Sequence, residues 1–286
     1  MRPCRSVLLV VIVLAALVAC GSGTRTAGNA AEVTYLTSFG VADLTGTMIT
    51  VAKEKLPVTA VAAIHQRTVA AIIGLEGGGI TTPADLVGRK IGDPPGSTIR
   101  LMFPLYAKAA GIDPGTVEFV PSAPPGLPQL LLSGQVDGIG QFVVGKPLIE
   151  AAAKGRKAVV LPYGELLPDL YGNMLVTSPE LARDDPGLVR RFSGALLKGL
   201  RYSLDHPDEA GRILTKYQPT QNPEVAAAEL RLMPEYSEPA GFPGPLGAVD
   251  ESRVTTIIDL LGEAQAIPAG SLRAADLVSF ELVPKP

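Results

Sequence analysis

Residues 88–111 read GRKIGDPPGSTIRLMFPLYAKAAG. The run RKIGD is a short β-type segment, PPGS is a rigid corner, and TIRLMFPLYAKAA repeats apolar residues at helical spacing. Pro94 and Pro95 fix their φ angles and carry no N–H, and Gly96 permits a tight turn. Ser97 or Thr98 then opens the helix. The corner predicts that the amides of Gly96, Ser97 and Thr98, with two hydroxyls, face the space beyond the strand's carboxyl end, where open α/β sheets bind ligands. A helix start favours an anion or polar acceptor by about 0.3–1 kcal/mol, and each good hydrogen bond adds about 1 kcal/mol. The corner is no phosphate loop, since the lysine of GxxxxGK[ST] is missing and no GxGxxG follows. From the corner alone, a simple capped connection fits as well as ligand contact.

Outward from the corner, strand and helix signals alternate. Asp43 caps a helix after the β-rich AEVTYLTSFG, which ends in a Gly turn. LPVTAVAAIHQ and RTVAAIIGL are two strands of nearly continuous apolar content. Further on, TVEFVPS, VDGIGQF, KAVVLPYG and LYGNMLVTS read as strands, with short helices between them. From Asp185 the pattern is helical to near the end of the chain. The expectation is an α/β fold with mostly parallel sheets. Its domain reading is a first lobe of residues 32–90 and 177–286, interrupted by a second lobe of 91–176.

The chain has 286 residues and formal net charge −3. Its start stands apart: Arg2 and Arg5 precede twelve apolar residues, Val7 to Val18, then Ala19 and Cys20. Twelve residues are too few to span a bilayer and suit a secretory signal. LVAC followed by GSGTRTAGNAAE resembles the lipobox of bacterial lipoproteins. The expectation is therefore a signal peptide at 1–19, a lipidated Cys20 and a tether at 20–31. Loss of Arg2 and Arg5 lowers Lys plus Arg from 25 to 23 against 28 acids, a net charge of −5. That balance argues against a nucleic-acid partner. Cys4 departs with the signal, so no intrachain disulfide is expected.

DLVGRKIGDPPGSTIRLMFPLYAKAAGIDPGTVEFV, LLLSGQVDGIGQF and LPYGELLPDLYGNMLVTSPELARDDPGLVRRFSGALLKGL occur in that order. Together they resemble the extracytoplasmic substrate-binding proteins of ABC importers, in the branch for thiamine-pyrimidine precursors, nitrate, sulfonates and taurine. The resemblance implies a type II, flytrap periplasmic-binding fold whose two lobes close on a solute in the cleft between them. It implies no cofactor, no metal and no chemistry. Its implied partners are a small-molecule ligand, the permease subunits, and the outer face of the membrane through the Cys20 lipid. Carried over residue by residue, it assigns ligand contacts to Gly96, Ser97, Thr98 and Gln141 in the second lobe. Tyr171 and Asn173 on the returning strand join them, with Asp43, Thr45 and Gln66 from the first lobe. The residues alone also fit helix capping for Asp43 and Thr45, hinge backbone for Asn173 and a turn for Gln66.

The pattern departs from the family in one place. TSFG at 37–40 runs directly into VADLTG at 41–46, where the family has a helix, a strand and another helix. A parallel crossover cannot be made in zero residues. An internal deletion near residue 40 is expected to have shortened the first lobe by about one strand and two helices. The pyrimidine-precursor ligand is the first expectation, a sulfonate, nitrate or taurine-type anion the second. A surface lipoprotein that has lost its ligand is a third. An enzyme of pyrimidine or thiamine metabolism on this fold is a fourth, disfavoured by two histidines and no GxSxG or HExxH.

Overall fold

The computed structural model describes residues 39–242 and 244–285. The expected signal, Cys20, the tether and positions 31–38 lie outside the described residues. In chain order the strands are β1 (Phe39–Asp43), β2 (Thr59–Ala63), β3 (Ala70–Leu75), β4 (Lys90–Asp93), β5 (Glu118–Pro121), β6 (Gly138–Phe142), β7 (Ala158–Pro162) and β8 (Asn173–Thr177). The longer helices are α1 (Leu44–Glu54), α2 (Thr98–Ala110), α3 (Pro186–Asp205), α4 (Pro207–Tyr217), α5 (Pro223–Leu232) and α6 (Glu251–Glu263). The described chain forms two compact units, one of residues 39–67 with 169–285, the other Thr68–Pro168.

The first unit holds a sheet ordered β1-β8-β2 among the described residues. Both flanking strands run antiparallel to β8. The chain leaves this unit beyond the carboxyl end of β2 and returns at the amino end of β8, which lies at that same sheet end. The returning strand therefore runs opposite to its neighbours, and the expectation of parallel pairing fails here. Gly40 sits inside β1, opposite Val176, rather than in a turn. Asp43 ends the strand and caps α1, its Oδ1 accepting from Gly46 N at 2.9 Å. Around this sheet, Met48, Val61, Met174, Val189, Val254, Ile257 and Leu261 are fully buried.

The second unit holds a five-stranded sheet ordered β5-β4-β6-β3-β7. β4 runs parallel to β5 and β6, whereas β3 is antiparallel to both β6 and β7. The domain boundary consequently falls at 68 rather than 91, because β3 takes its hydrogen bonds from β6 and β7. It falls at 169 rather than 177 on the way back, because β8 bonds to β1 and β2. Ile73, Leu75, Leu127, Leu131, Val136, Ile139 and Ile149 form the core under this sheet. Among the described residues no helix is long and apolar enough to cross a membrane.

Ile73→Ala removes a fully buried side chain from that cluster and is expected to cost about 2–5 kcal/mol in urea denaturation. A loss below about 1 kcal/mol would show that β3 is not a core strand of the second unit.

Candidate functional site

In the first unit the polar candidates gather where β1 and β2 end and β8 begins. Ile64 N and His65 N both donate to the Asn173 carbonyl, at 2.9 and 3.0 Å, and Gly172 N donates to the His65 carbonyl at 3.2 Å. Leu44 N donates to the Gly172 carbonyl at 3.1 Å, which brings the start of α1 to the same place. Thr45 is fully buried, and its Oγ1 has no hydrogen-bond partner among the described residues. Gln66 is also fully buried. Its Nε2 donates to the Ala248 carbonyl at 2.9 Å while Oε1 lacks a partner among the described residues. Asn173 is buried in the same network. Tyr171 is buried too, its hydroxyl accepting from Asp250 N at 2.9 Å.

His65 also stands in this group. Its Nδ1 accepts from Asn173 N at 3.3 Å, so the ring proton sits on Nε2. That N–H is buried and unpartnered among the described residues. Burial pushes the imidazole pKa down to about 3, so the ring is neutral at physiological pH. Burial also raises Asp43 to about 7, against the amide hydrogen bonds from Gly46 and Thr45.

In the second unit the corner after β4 is a closed turn. Ser97 N donates to the Pro94 carbonyl at 3.1 Å, and Gly96 takes φ +75° at the third position, as a type II turn requires. The Ser97 amide is thus consumed within the corner, which corrects the expectation that it faces outward. The amides of Gly96 and Thr98 make no such bond among the described residues. The Ser97 hydroxyl is engaged as well: it donates to Asp93 Oδ2 and accepts from Arg100 N at 3.1 Å. Ser97 therefore caps α2 and holds its start to the end of β4. Gln141, one residue before the end of β6, has its Oε1 accepting from Phe142 N at 2.8 Å, which leaves its Nε2 as the uncommitted donor.

Asp93 is the residue the sequence reading missed. It is fully buried, and its Oδ1 has no partner among the described residues. Burial raises its pKa to about 7, although the Ser97 hydroxyl and the charge of Arg100 pull it down. Gly140 on the neighbouring strand makes room for it, since a Cβ there would lie 2.0 Å from Asp93 Oδ1. Tyr163 is buried nearby, its hydroxyl donating to the Ile99 carbonyl at 3.2 Å and its ring stacked on Tyr106. The signal available in sequence was an acid ending a strand four residues before the capping serine. Among the described residues no group of three His, Cys, Asp or Glu side chains could hold a metal ion. His206 begins α4 with its ring 4.6 Å from that of Tyr202.

A family model described as NMT1/THI5 like matches residues 31–210. Among solved structures, the alkanesulfonate-binding protein SsuA from Xanthomonas axonopodis pv. citri, bound to MOPS, is similar at TM-score 0.66 and 19% identity. The match covers 84% of this chain and 80% of that one. A ligand-binding component of an ABC-type import system from Staphylococcus aureus, with zinc bound, is similar at TM-score 0.65 and 16% identity, over 97% and 93% of the two chains. The desulfurization enzyme DSZB is similar at TM-score 0.56 and 15% identity, over 96% and 94%. At these identities the likeness is one of fold, the two-lobed α/β architecture. No curated protein matches this chain.

The Asp93 pKa lies above the 3.8 of an unburied carboxyl. From about pH 4 to about 7 the unfolded chain has ionised while the native carboxyl still holds its proton, so stability falls across that window and levels off above it. Asp93→Asn is expected to flatten part of this decline in urea midpoints measured from pH 4 to 8. An unchanged slope would mean that Asp93 ionises normally. Gly140→Ala drives a methyl into the same carboxyl and is expected to destabilise by about 1–3 kcal/mol. Replacing Asp93 by Ala in the same chain should recover part of that loss.

Proposed function

The chain belongs to the NMT1/THI5-like family, and from that premise we propose that it is the solute-binding component of an ABC-type importer. It captures a small polar or heteroaromatic solute outside the cell membrane and delivers it to permease subunits. Lipid on Cys20 tethers it to the outer face of that membrane. The observation that carries this reading is the corner at the start of α2, where the Gly96 and Thr98 amides remain unengaged on a rigid turn. The fold likeness to a ligand-binding component of an ABC-type import system supports it, as does the likeness to an alkanesulfonate-binding protein.

Gly96, Thr98 and Gln141 from the second lobe, with Asp43, Thr45, Gln66, Tyr171 and Asn173 from the first, form the proposed contact set. Ser97 contributes by holding the corner. Micromolar affinity needs about −8 kcal/mol, which a handful of hydrogen bonds and modest ring burial supply. The solute we favour is a thiamine pyrimidine precursor, uncharged and rich in donors and acceptors. Asp93 supports an uncharged solute: when ionised, it opposes the attraction of the helix start for an anion. A nitrate, sulfonate or taurine-type anion is the second choice, supported by the fold likeness to SsuA.

The likeness to DSZB favours one other reading, an enzyme on the same fold. The neutral His65 Nε2–H, without a partner among the described residues, is its natural participant. Turnover of an aminopyrimidine, followed by mass spectrometry, would establish that reading in place of capture.

A solute at 100 times its Kd stabilises the protein by about 2.7 kcal/mol, a rise of roughly 5–10 °C in Tm for a chain this size. The expected thermal shift appears with 4-amino-5-hydroxymethyl-2-methylpyrimidine and is lost in Gln66→Ala. It is absent with nitrate and taurine. A shift with sulfonates alone would move the assignment to the anion class, and no shift with pyrimidines, sulfonates, nitrate or flavin precursors would overturn solute binding.

A further inference from the structure

The chain passes out of the first unit after Arg67 and comes back at Asp169. One side chain of the first unit reaches both places. Arg253, in the first turn of α6, donates from Nε to the Asp169 carbonyl at 2.7 Å and from Nη2 to the Gln66 carbonyl at 2.5 Å. Its guanidinium lies 3.9 Å from the centre of the Tyr171 ring, two residues into the returning segment.

The backbone of the same helix start is docked there too. Asp250 N donates to the Tyr171 hydroxyl at 2.9 Å, and Asp250 Oδ1 accepts from Arg253 N at 2.8 Å. The outgoing segment has a second anchor, because Gln66 N and Arg67 N both donate to the Tyr236 carbonyl, at 2.6 and 3.1 Å. Helix electrostatics do not account for this arginine. A cation in the first turn opposes the helix dipole, whereas Asp250 and Glu251 supply the favourable sign. What the position offers is reach. A planar fork can donate to two separate carbonyls while its face stacks on an aromatic ring, which an ammonium cannot do.

We propose that Arg253 is a side-chain tie that, beside the backbone bonds joining residues 64–65 to 172–173, fastens the outgoing and returning segments to each other and makes the two crossings one mechanical element. This goes beyond solute binding and does not depend on it, since every contact lies within residues 39–67 and 169–285. It assigns Arg253 a positioning role: it acts on Gln66 and Tyr171 through their backbone and ring.

The test is hydrogen–deuterium exchange, read by mass spectrometry, on the whole chain and on Arg253→Gln and Arg253→Lys, without added solute. In Arg253→Gln, peptides covering 64–70 and 168–174 are expected to exchange about ten- to hundredfold faster, while peptides from β3 and β6 keep their rates. Arg253→Lys keeps the charge but not the fork and is expected to loosen both segments as well. It also carries the test if the glutamine variant does not fold. Unchanged rates in both segments would overturn the tie. So would loosening of one segment alone, a uniform rise across both units, or full recovery of wild-type rates by lysine.

Discussion

The first unit depends on one strand. Asn173–Thr177 lies between β1 and β2, and among the described residues β8 is the one strand laddered to either of them, apart from a single parallel bridge between Ala60 of β2 and Val278. Because the chain departs beyond the end of β2 and returns at the start of β8, both crossings meet at one end of the sheet. That end is where Asp43, Thr45, His65, Gln66, Tyr171 and Asn173 collect. The polar cluster follows from the way the returning strand is threaded, since these residues lie at the ends of β1 and β8, the start of α1 and the segments that leave and re-enter the unit.

The second unit sets a different balance. Its corner uses most of its own hydrogen-bonding capacity internally: the Ser97 amide closes the turn, and the Ser97 hydroxyl joins Asp93 to the Arg100 amide in the first turn of the helix. What is left over is a rigid frame with two unengaged amides. A frame of this kind loses little entropy when a solute arrives, because its prolines and closed turn have already fixed the backbone. The buried acid behind it is held towards its neutral form by burial, and when ionised it acts oppositely to the helix dipole.

Both units keep ionisable groups buried without charged partners in direct contact. Asp43 and Asp93 are raised towards neutrality and His65 is held uncharged, each chiefly by burial. Low-dielectric surroundings make an unpaired charge costly, and the groups respond by neutralising. Among the described residues, buried side-chain atoms of Thr45, His65, Gln66, Asp93, Ser193 and Ser237 lack a hydrogen-bond partner, which adds to that cost. His65, Gln66 and Asp93 lie at or just past strand ends and Thr45 in the first turn of α1, whereas Ser193 lies within α3.

Local chemistry was legible from the residues. The strand–corner–helix at 88–111, the caps at Asp43, Ser97 and Asp185, and the positions of nearly all strands and helices depend on neighbours a few residues away. Turn residues, proline and hydrophobic period report such neighbours directly. Pairing was not legible. The run Ala70–Leu75 is apolar on both faces and would suit either sheet, and only its register with β6 and β7 placed it in the second unit. The same holds for the burial of Asp93 against Gly140, for His65 beneath the returning strand, and for Arg253 beside Gln66, 187 residues away in the chain. Each is a contact between segments far apart in sequence, so its energy exists only once the sheets have formed.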